Sequence, residues 1–404
     1  MLTLERLMDD INVKNYPNEW KDMFDSACRV CESKALEFLD DTYLDRLNDM
    51  YDAFPRYLKV LKEAASQIRK DDRLYIYTAL ISETMENRVD IGVRIKNTDM
   101  PSESDGKYSP GYDLAAIFPF FRFADRMAAE LTRRNVPREI ILSSIRTFEN
   151  FIHEKVPFIG RPLMSKTYLS WGQQFVDLNI IRIKRFNLEF LSENFINAKV
   201  YRNSAGDEIT LVDGVMIHRS GNALGSTGFE DEEGSYLAEI LETDEYYEGY
   251  PTNSDGICAQ DKVQLNKNEW TAVLTKNDKA ISVHIPSFES LAPDYCTESL
   301  LYADKILKDC FSEFDFKAYV CHSWMLEPQL REILPEESKL VSFQKRFSVI
   351  PTKSDDKAII HHAFDRKPNY DYEKLNPKTS LERAIKAHYL AGKHLYEYSG
   401  YFFI

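Results

Sequence analysis

Cysteine is scarce in this chain, with six in 404 residues and those scattered, which makes no disulfide framework. No stretch comes near the roughly 18 uninterrupted apolar residues of a membrane span. The opening segment, MLTLERLMDDINVKNYPNEW, is charged throughout and lacks the apolar core of a signal peptide. Basic side chains are outnumbered, 51 against 65 acidic ones, for a formal net charge of −14. A surface that acidic repels phosphate backbones and anionic lipid, so neither nucleic acid nor a membrane is an expected partner. Internal repeats and low-complexity tracts are also missing. What the chain does have is apolar mass: 44% hydrophobic and 13% aromatic residues, far more than a disordered chain carries. At ~150 residues per domain its length allows two or three domains. The expectation is a soluble, cytoplasmic, globular protein.

Periodicity divides the chain in two. Over residues 1–170 the apolar side chains recur at helical intervals. Tyr43, Leu44, Leu47, Met50, Tyr51 and Phe54 form one stripe, which Pro55 interrupts before Tyr57, Leu58 and Leu61 resume it. A second helix is expected from Asp72 through Leu74, Tyr77, Leu80, Ile81 and Met85. Residues 97–111, with Pro101, Gly106, Pro110 and Gly111, read as a loop. Residues 114–131 read as one apolar helix ending at the basic pair Arg133 and Arg134. Pro137 opens the next helix, where its missing N–H costs nothing. Near Ile180 the period drops toward two, and Ile181, Ile183, Phe186, Leu188 and Phe190 predict a half-buried strand. Residues 203–207 join two strands as a hairpin, and the glycine-bearing stretch 214–234 reads as loop or irregular ribbon. Strands are expected over 270–274, 280–285 and 316–324, with a helix over 297–311 between the last two. Short helices over 329–334 and 340–346 precede a strand over 359–364. The fold class is α+β: a helical domain, then a domain with one strand–helix–strand crossover, the two parting between Trp171 and Ile181.

Three motifs then follow one another in a recognisable order. They are Val283-His284-Ile285-Pro286, then Cys321-His322-Ser323-Trp324-Met325-Leu326-Glu327-Pro328, then Ser338 through Phe343 to Phe347. This order resembles the HIP, C-x-S-W-L-L-x-P and S-N-I-x-x-F-x-x-x-F signatures of bacterial acyltransferase-domain proteins. That family pairs a helical N-acyltransferase N-terminal domain with a GNAT-like C-terminal domain. Pro137, Gly160-Arg161-Pro162 and Trp171 resemble the end of its helical domain, and residues 182–190 its first strand. Residues 379–384 with Ala391-Gly392 resemble its C-terminal helix. Each motif is short, and their order and spacing over residues 137–392 carry the match. The resemblance implies a helical domain over residues 1–175 and a GNAT-like mixed-sheet domain over 176–404. Two positions depart from it. The usual glycine after HIP gives way to Ser287-Phe288-Glu289-Ser290, and Lys339 stands where the asparagine of S-N-I would be.

In a GNAT-like fold two adjacent parallel strands splay apart, and acyl thioester and acceptor meet in the gap. The resemblance places those strands at residues 280–286 and 316–324. A strand–helix–strand crossover has its ligand crevice at the strand carboxyl ends in any case. His284 ends the first strand and is a candidate general base, unless a backbone carbonyl satisfies it. Cys321, His322 and Ser323 end the second. Adjacent residues of a strand point to opposite faces, so Cys321 and His322 form no dyad. Cys321 reads as a buried, inert thiol or as a group in direct chemistry. Ser323 is the better proton donor or acyl-oxygen partner and is expected to line one cavity with His284. Glu327 is either an alternative base acting through water or a solvated carboxylate.

The resemblance also implies acyl-coenzyme A, or coenzyme A, as co-substrate. Ile285, Ser287, Ser290 and Leu291, with the following helix N-terminus, would face its pyrophosphate, where Glu289 is a like charge. No metal is expected: Cys28-x-x-Cys31 has no second pair, and His361-His362 alternate across a strand without clustered carboxylates. Residues 221–228 lack the Lys-Ser/Thr ending of a phosphate loop. Tyr246, Tyr247 and Tyr250 read as packing or as a ring pocket, and the acidic run 230–233 as a solvated loop. The leading reading is a two-domain acyltransferase moving an acyl group from a thioester to an amine or hydroxyl of a small acceptor. Its rivals are a catalytically silent module that binds a small metabolite or sugar, and an interaction protein docking through its aromatic-rich helices.

Overall fold

A computed structural model describes residues 3–86, 98–102, 108–287, 289–364 and 371–404. Parts of the expected 97–111 loop lie outside the described residues. The chain divides into two compact units, Met1–Lys184 and Arg185–Ile404. No helix among the described residues is long and apolar enough to cross a membrane.

The first unit is helical for the reasons its periodicity gives. The helix Leu58–Lys70 buries Leu61, Ala64, Ala65 and Ile68 on one stripe and ends in Arg69 and Lys70, whose charges suit a C-terminus. The helix Asp72–Glu86 is buried almost all round from Leu74 to Met85. The single apolar helix expected over residues 114–131 is instead broken into a 3-10 turn, Ala115–Ile117, and the helices Phe118–Phe121 and Ala124–Arg133. Pro119 explains the break: it sits in the first turn of a new helix, and within a continuous one it would meet the carbonyl of residue 115. The strand β1 (Ile180–Ile183) closes the unit, buried throughout. Helix Arg138–His153 holds it, with Ser144 Oγ accepting from Arg182 N at 3.1 Å and Ser143 Oγ donating to Arg182 O at 2.9 Å.

Where the sequence reads one strand over 181–190, Lys184 takes a left-handed turn (φ 48°) and a second strand begins, β2 (Phe186–Leu191). After it come β3 (Ala198–Asn203), β4 (Glu208–Val212), β5 (Val215–Ile217), β6 (Tyr236–Ala238), β7 (Leu241–Glu242), β8 (Tyr246–Pro251), β9 (Val263–Asn266) and β10 (Trp270–Leu274). The chain then runs through β11 (Ala280–His284), β12 (Ala318–Ser323), β13 (Ser348–Ile350) and β14 (Tyr398–Phe402). Within the second unit the main sheet runs β2-β11-β12-β14-β13. β11 and β12 are parallel, joined by the helix Pro293–Cys310, which starts one turn before the expected Thr297. Their neighbours β2 and β14 are antiparallel. A second sheet, β10-β3-β4-β8-β7 with β9 on β8, lies over one face. Ala198, Val200 and Leu274 from it pack on Ala280, Ala318, Val320, Ile350 and Tyr401 of the main sheet.

One local expectation fails on tertiary grounds. Residues expected as a strand over 359–364 form the helix Ala358–Phe364, which buries Ile359, Ile360 and Phe364 against Leu375, Ile385 and Tyr389. That core, rather than β-branched propensity, decides the conformation. His361 and His362 are therefore neighbours around a helix, with ring centroids 5.2 Å apart, and do not alternate across a strand. Tyr247 and Tyr250 pack against Tyr201 and Tyr236, at 4.5 and 4.6 Å between centroids, and take the packing role.

Within the 214–234 ribbon, Gly221 (φ +88°) has no room for a side chain: a Cβ would collide with Ile257 Cγ2 and stand 2.6 Å from the Cys258 carbonyl oxygen. Gly206 (φ +90°) turns in open space. Gly206→Ala should therefore cost only the left-handed penalty of about 1–2 kcal/mol. Gly221→Ala should cost that plus roughly 1–3 kcal/mol of overpacking. Urea unfolding of the two variants compares them, and equal losses would remove the steric account.

Candidate functional site

The parallel pair β11–β12 is hydrogen-bonded only across Ala280↔Ala318, Ile281↔Tyr319 and Ser282↔Val320. Both strands run on beyond that point, each held by its outer neighbour alone. Val283 and His284 pair with Leu188 and Asn187 of β2. Cys321, His322 and Ser323 pair with Gly400, Ser399 and Tyr398 of β14. A gap thus opens at the carboxyl ends of the two central strands, the place where a crossover unit presents its crevice.

Register decides which side chains face each side of that gap. Laterally paired residues share a face and successive residues alternate. Ser282 and Val320 are paired, so His284 and His322, two residues further on, share a face and stand at one level on opposite banks. Glu189, paired with Ser282, joins them, and its Oε2 lies 2.8 Å from His284 Nε2. On the other bank His322 Nδ1 lies 3.1 Å from Ser399 Oγ, and its Nε2 lies 3.8 Å from Glu397 Oε2. The Glu397 carboxyl is held below the usual range, first by the His322 ring beside it. All four side chains remain reachable, His284 and His322 about 30% and 42% exposed. The gap is flanked by two histidine–carboxylate pairs.

This arrangement corrects the expected partnership of His284 with Ser323. Alternation puts Ser323 on the opposite face, with Cys321, and its Oγ accepts from Met325 N at 3.1 Å to cap the turn Trp324–Leu326. Cys321 is buried, and burial pushes its thiol up to about 12, so it behaves as a core residue. His284 is held by a carboxylate side chain rather than satisfied by a backbone carbonyl alone. Sequence reasoning passed over Glu189 and Glu397, and weighed His322 only as a partner for Cys321. Their signal was the alternation itself: Glu189 and His322 lie on strands already expected, at positions whose face is set only once the strands are paired.

Glu327 is not a solvated carboxylate. It is fully buried, its Oε1 accepting from Gln329 N at 3.0 Å and its Oε2 from Tyr396 N. Gln344 Nε2 donates to its carbonyl oxygen. Burial pushes the carboxyl up to about 7 against those donors.

The loop after His284 has its own charge pattern. Ser287, Glu289 and Ser290 are exposed, with Ile285 and Leu291 half-buried. Beneath them Arg185 is buried, its Nε donating to Ser290 O at 2.9 Å and an Nη to Glu289 O at 3.2 Å. Ser290 Oγ accepts from Ala292 N at 3.1 Å and from Lys339 Nζ at 3.4 Å. Arg346 donates to Pro293 O and Thr297 Oγ1, in the first turn of the helix Pro293–Cys310. Three cations therefore surround this helix N-terminus, where an anion is already favoured by the free N–H groups and the helix dipole. Lys339, the departure noted in the third motif, is one of them.

Residues 188–402 match the family described as the GNAT-like C-terminal domain. Among curated proteins no relative matches. Among solved structures, an acyltransferase in complex with decanoyl-CoA and teicoplanin is similar at 15% identity and a TM-score of 0.56, over 89% of this chain and 86% of that one. An acyltransferase mutant in complex with octanoyl-CoA is similar at 14% identity and a TM-score of 0.56, over 89% and 87%. An acyltransferase in complex with CoA and 10C-teicoplanin is similar at 15% and 0.56, over 89% and 86%. At these identities the likeness is one of fold.

The raised Glu327 carboxyl makes stability depend on pH with a definite sign. Between its ordinary 4.5 and about 7 the folded chain keeps a proton that the unfolded chain releases. The group's stabilising contribution is thus complete below 4.5 and is lost as pH rises through 7. Measured by urea unfolding, wild type should lose roughly 3 kcal/mol relative to Glu327→Gln across that window. A difference that does not change with pH would contradict the assignment.

Proposed function

The chain belongs to the GNAT-like C-terminal domain family, and on that premise we propose that it transfers an acyl group from acyl-coenzyme A to an amine or hydroxyl of a small acceptor. The observation that carries the reading is the splayed parallel pair with the Glu189–His284 pair at its mouth. The thioester enters the gap between β11 and β12. The acceptor's nitrogen or oxygen attacks the thioester carbonyl carbon while His284 takes its proton, the ring held by Glu189. Collapse of the tetrahedral intermediate breaks the C–S bond and leaves the acyl group on the acceptor. Glu327, buried behind β12, and Ser323, on the other face, take no proton in this scheme. The coenzyme A diphosphate meets the N-terminus of the helix Pro293–Cys310, with Ser287, Ser290 and Lys339 around it. Lys339, Arg346 and Arg185 supply in side-chain charge what a glycine-rich loop would supply in backbone access. On this reading the transfer site belongs to the C-terminal domain, residues 176–404, and residues 1–175 make up the helical domain. Similar structures holding decanoyl-CoA and octanoyl-CoA favour a medium-chain donor as the first probe.

Glu289 is exposed in the same loop, and a carboxylate near a diphosphate costs on the order of 1 kcal/mol even at an effective dielectric of ~20. Glu289→Gly should therefore bind coenzyme A roughly fivefold more tightly by calorimetry. Lys339→Ala should bind it more weakly by a similar factor. Equal or absent binding in wild type and both variants would favour the rival, a crevice that holds a small metabolite or sugar without an acyl donor. Given binding, His284→Gln should lower kcat with decanoyl-CoA by about 10²-fold or more while leaving coenzyme A affinity unchanged. Unchanged turnover would remove His284 as the base.

A further inference from the structure

The second pair on the gap, His322 with Glu397, has no part in the scheme so far. We propose that His322 is the acid that protonates the departing coenzyme A sulfur, with Glu397 as its positioning residue. This rests on the acyl-transfer reading above and adds a residue to it.

The placement favours this role. His322 stands level with His284 on the other bank, so a substrate in the gap has one proton-handling group on each side. The ring is fixed where it matters: Nδ1 is 3.1 Å from Ser399 Oγ, and Phe195 meets the ring edge-on with centroids 6.3 Å apart. Nε2 lies at ion-pair rather than hydrogen-bond distance from Glu397, at 3.8 Å. The neighbouring candidates on β12 are excluded, because Cys321 and Ser323 face the other way. The groups facing His322 are Glu397 and Ser399 ahead of and on β14, with Phe195 before β3. His362 acts on Glu397 from the helix Ala358–Phe364.

The acceptor's proton passes to His284 as its lone pair forms the bond to the carbonyl carbon. The C–S bond breaks with its electron pair on sulfur, and sulfur takes the Nε2 proton of His322. His284 ends protonated and His322 neutral, and exchange of one proton with water restores both.

Coenzyme A and desulfo-coenzyme A, which has hydrogen in place of the thiol, separate the possibilities without turnover. Wild-type protein carrying 13C-labelled histidine is titrated with pH by NMR, alone and saturated with each ligand. His322→Gln and His284→Gln assign the two resonances. The titration midpoint of His322 should differ between the two ligands by about half a pH unit or more, with that of His284 the same in both. Glu397→Gln should reduce the His322 response while coenzyme A still binds. An identical His322 midpoint with both ligands, or a response equal to or smaller than that of His284, overturns the proposal. Failure of coenzyme A to bind at all by calorimetry instead overturns the reading on which it rests. In turnover of decanoyl-CoA, His322→Gln should reduce kcat by about 10²-fold with little change in KM.

Discussion

Everything at the candidate site follows from one interruption of hydrogen bonding. β11 and β12 pair from Ala280 to Ser282 and then stop, although both strands continue. Beyond that point β2 and β14 pair with the outer edges of the separated segments, while the backbone groups that face the gap gain nothing from those ladders. Two strand ends thus border one gap, each held from its outer side. The same register places His284 and His322 on one face and turns Cys321 and Ser323 to the other.

The bank formed by β12 is stiffened from behind. Glu327 follows the strand and accepts from the backbone of Tyr396, just before β14 begins. Gln344 reaches the carbonyl of Glu327, and Arg331 Nε donates to Gln344 Oε1 at 2.6 Å. Trp324 and Leu330 anchor the segment in a core with Ile359, Ile385 and Tyr389. A buried carboxylate is an expensive fastener, since burial alone pushes its proton affinity upward. Its donors recover part of that cost and fix the distance between the end of β12 and the lead-in to β14, which carries Glu397.

Much of this was legible in the residues. The period change near Ile180, the crossover from β11 to β12 and the position of His284 at a strand end follow from periodicity and motif order. The parts that were not legible share a cause: they depend on which strands are neighbours. Glu189 belongs to the site only because β2 lies against β11. Glu327 reads as solvated beside Pro328, yet the return of residues 394–398 buries it. Ser323 looked like a partner of His284 because both end strands, and only the register shows that they face apart. Lys339 counted as a departure from the expected motif until its side chain was found beside Ser290. Ile359 and Ile360 suggested a strand because their helical core partners lie in distant segments.

The central claim is that chemistry takes place in the gap between β11 and β12, on the face of His284 and His322. A crystal structure of the protein soaked with decanoyl-CoA tests it most directly. The thioester sulfur is expected between the two imidazoles, with the diphosphate at the helix that begins at Pro293. Density for the pantetheine arm on the Ser323 face, or away from the β11–β12 gap altogether, would contradict it.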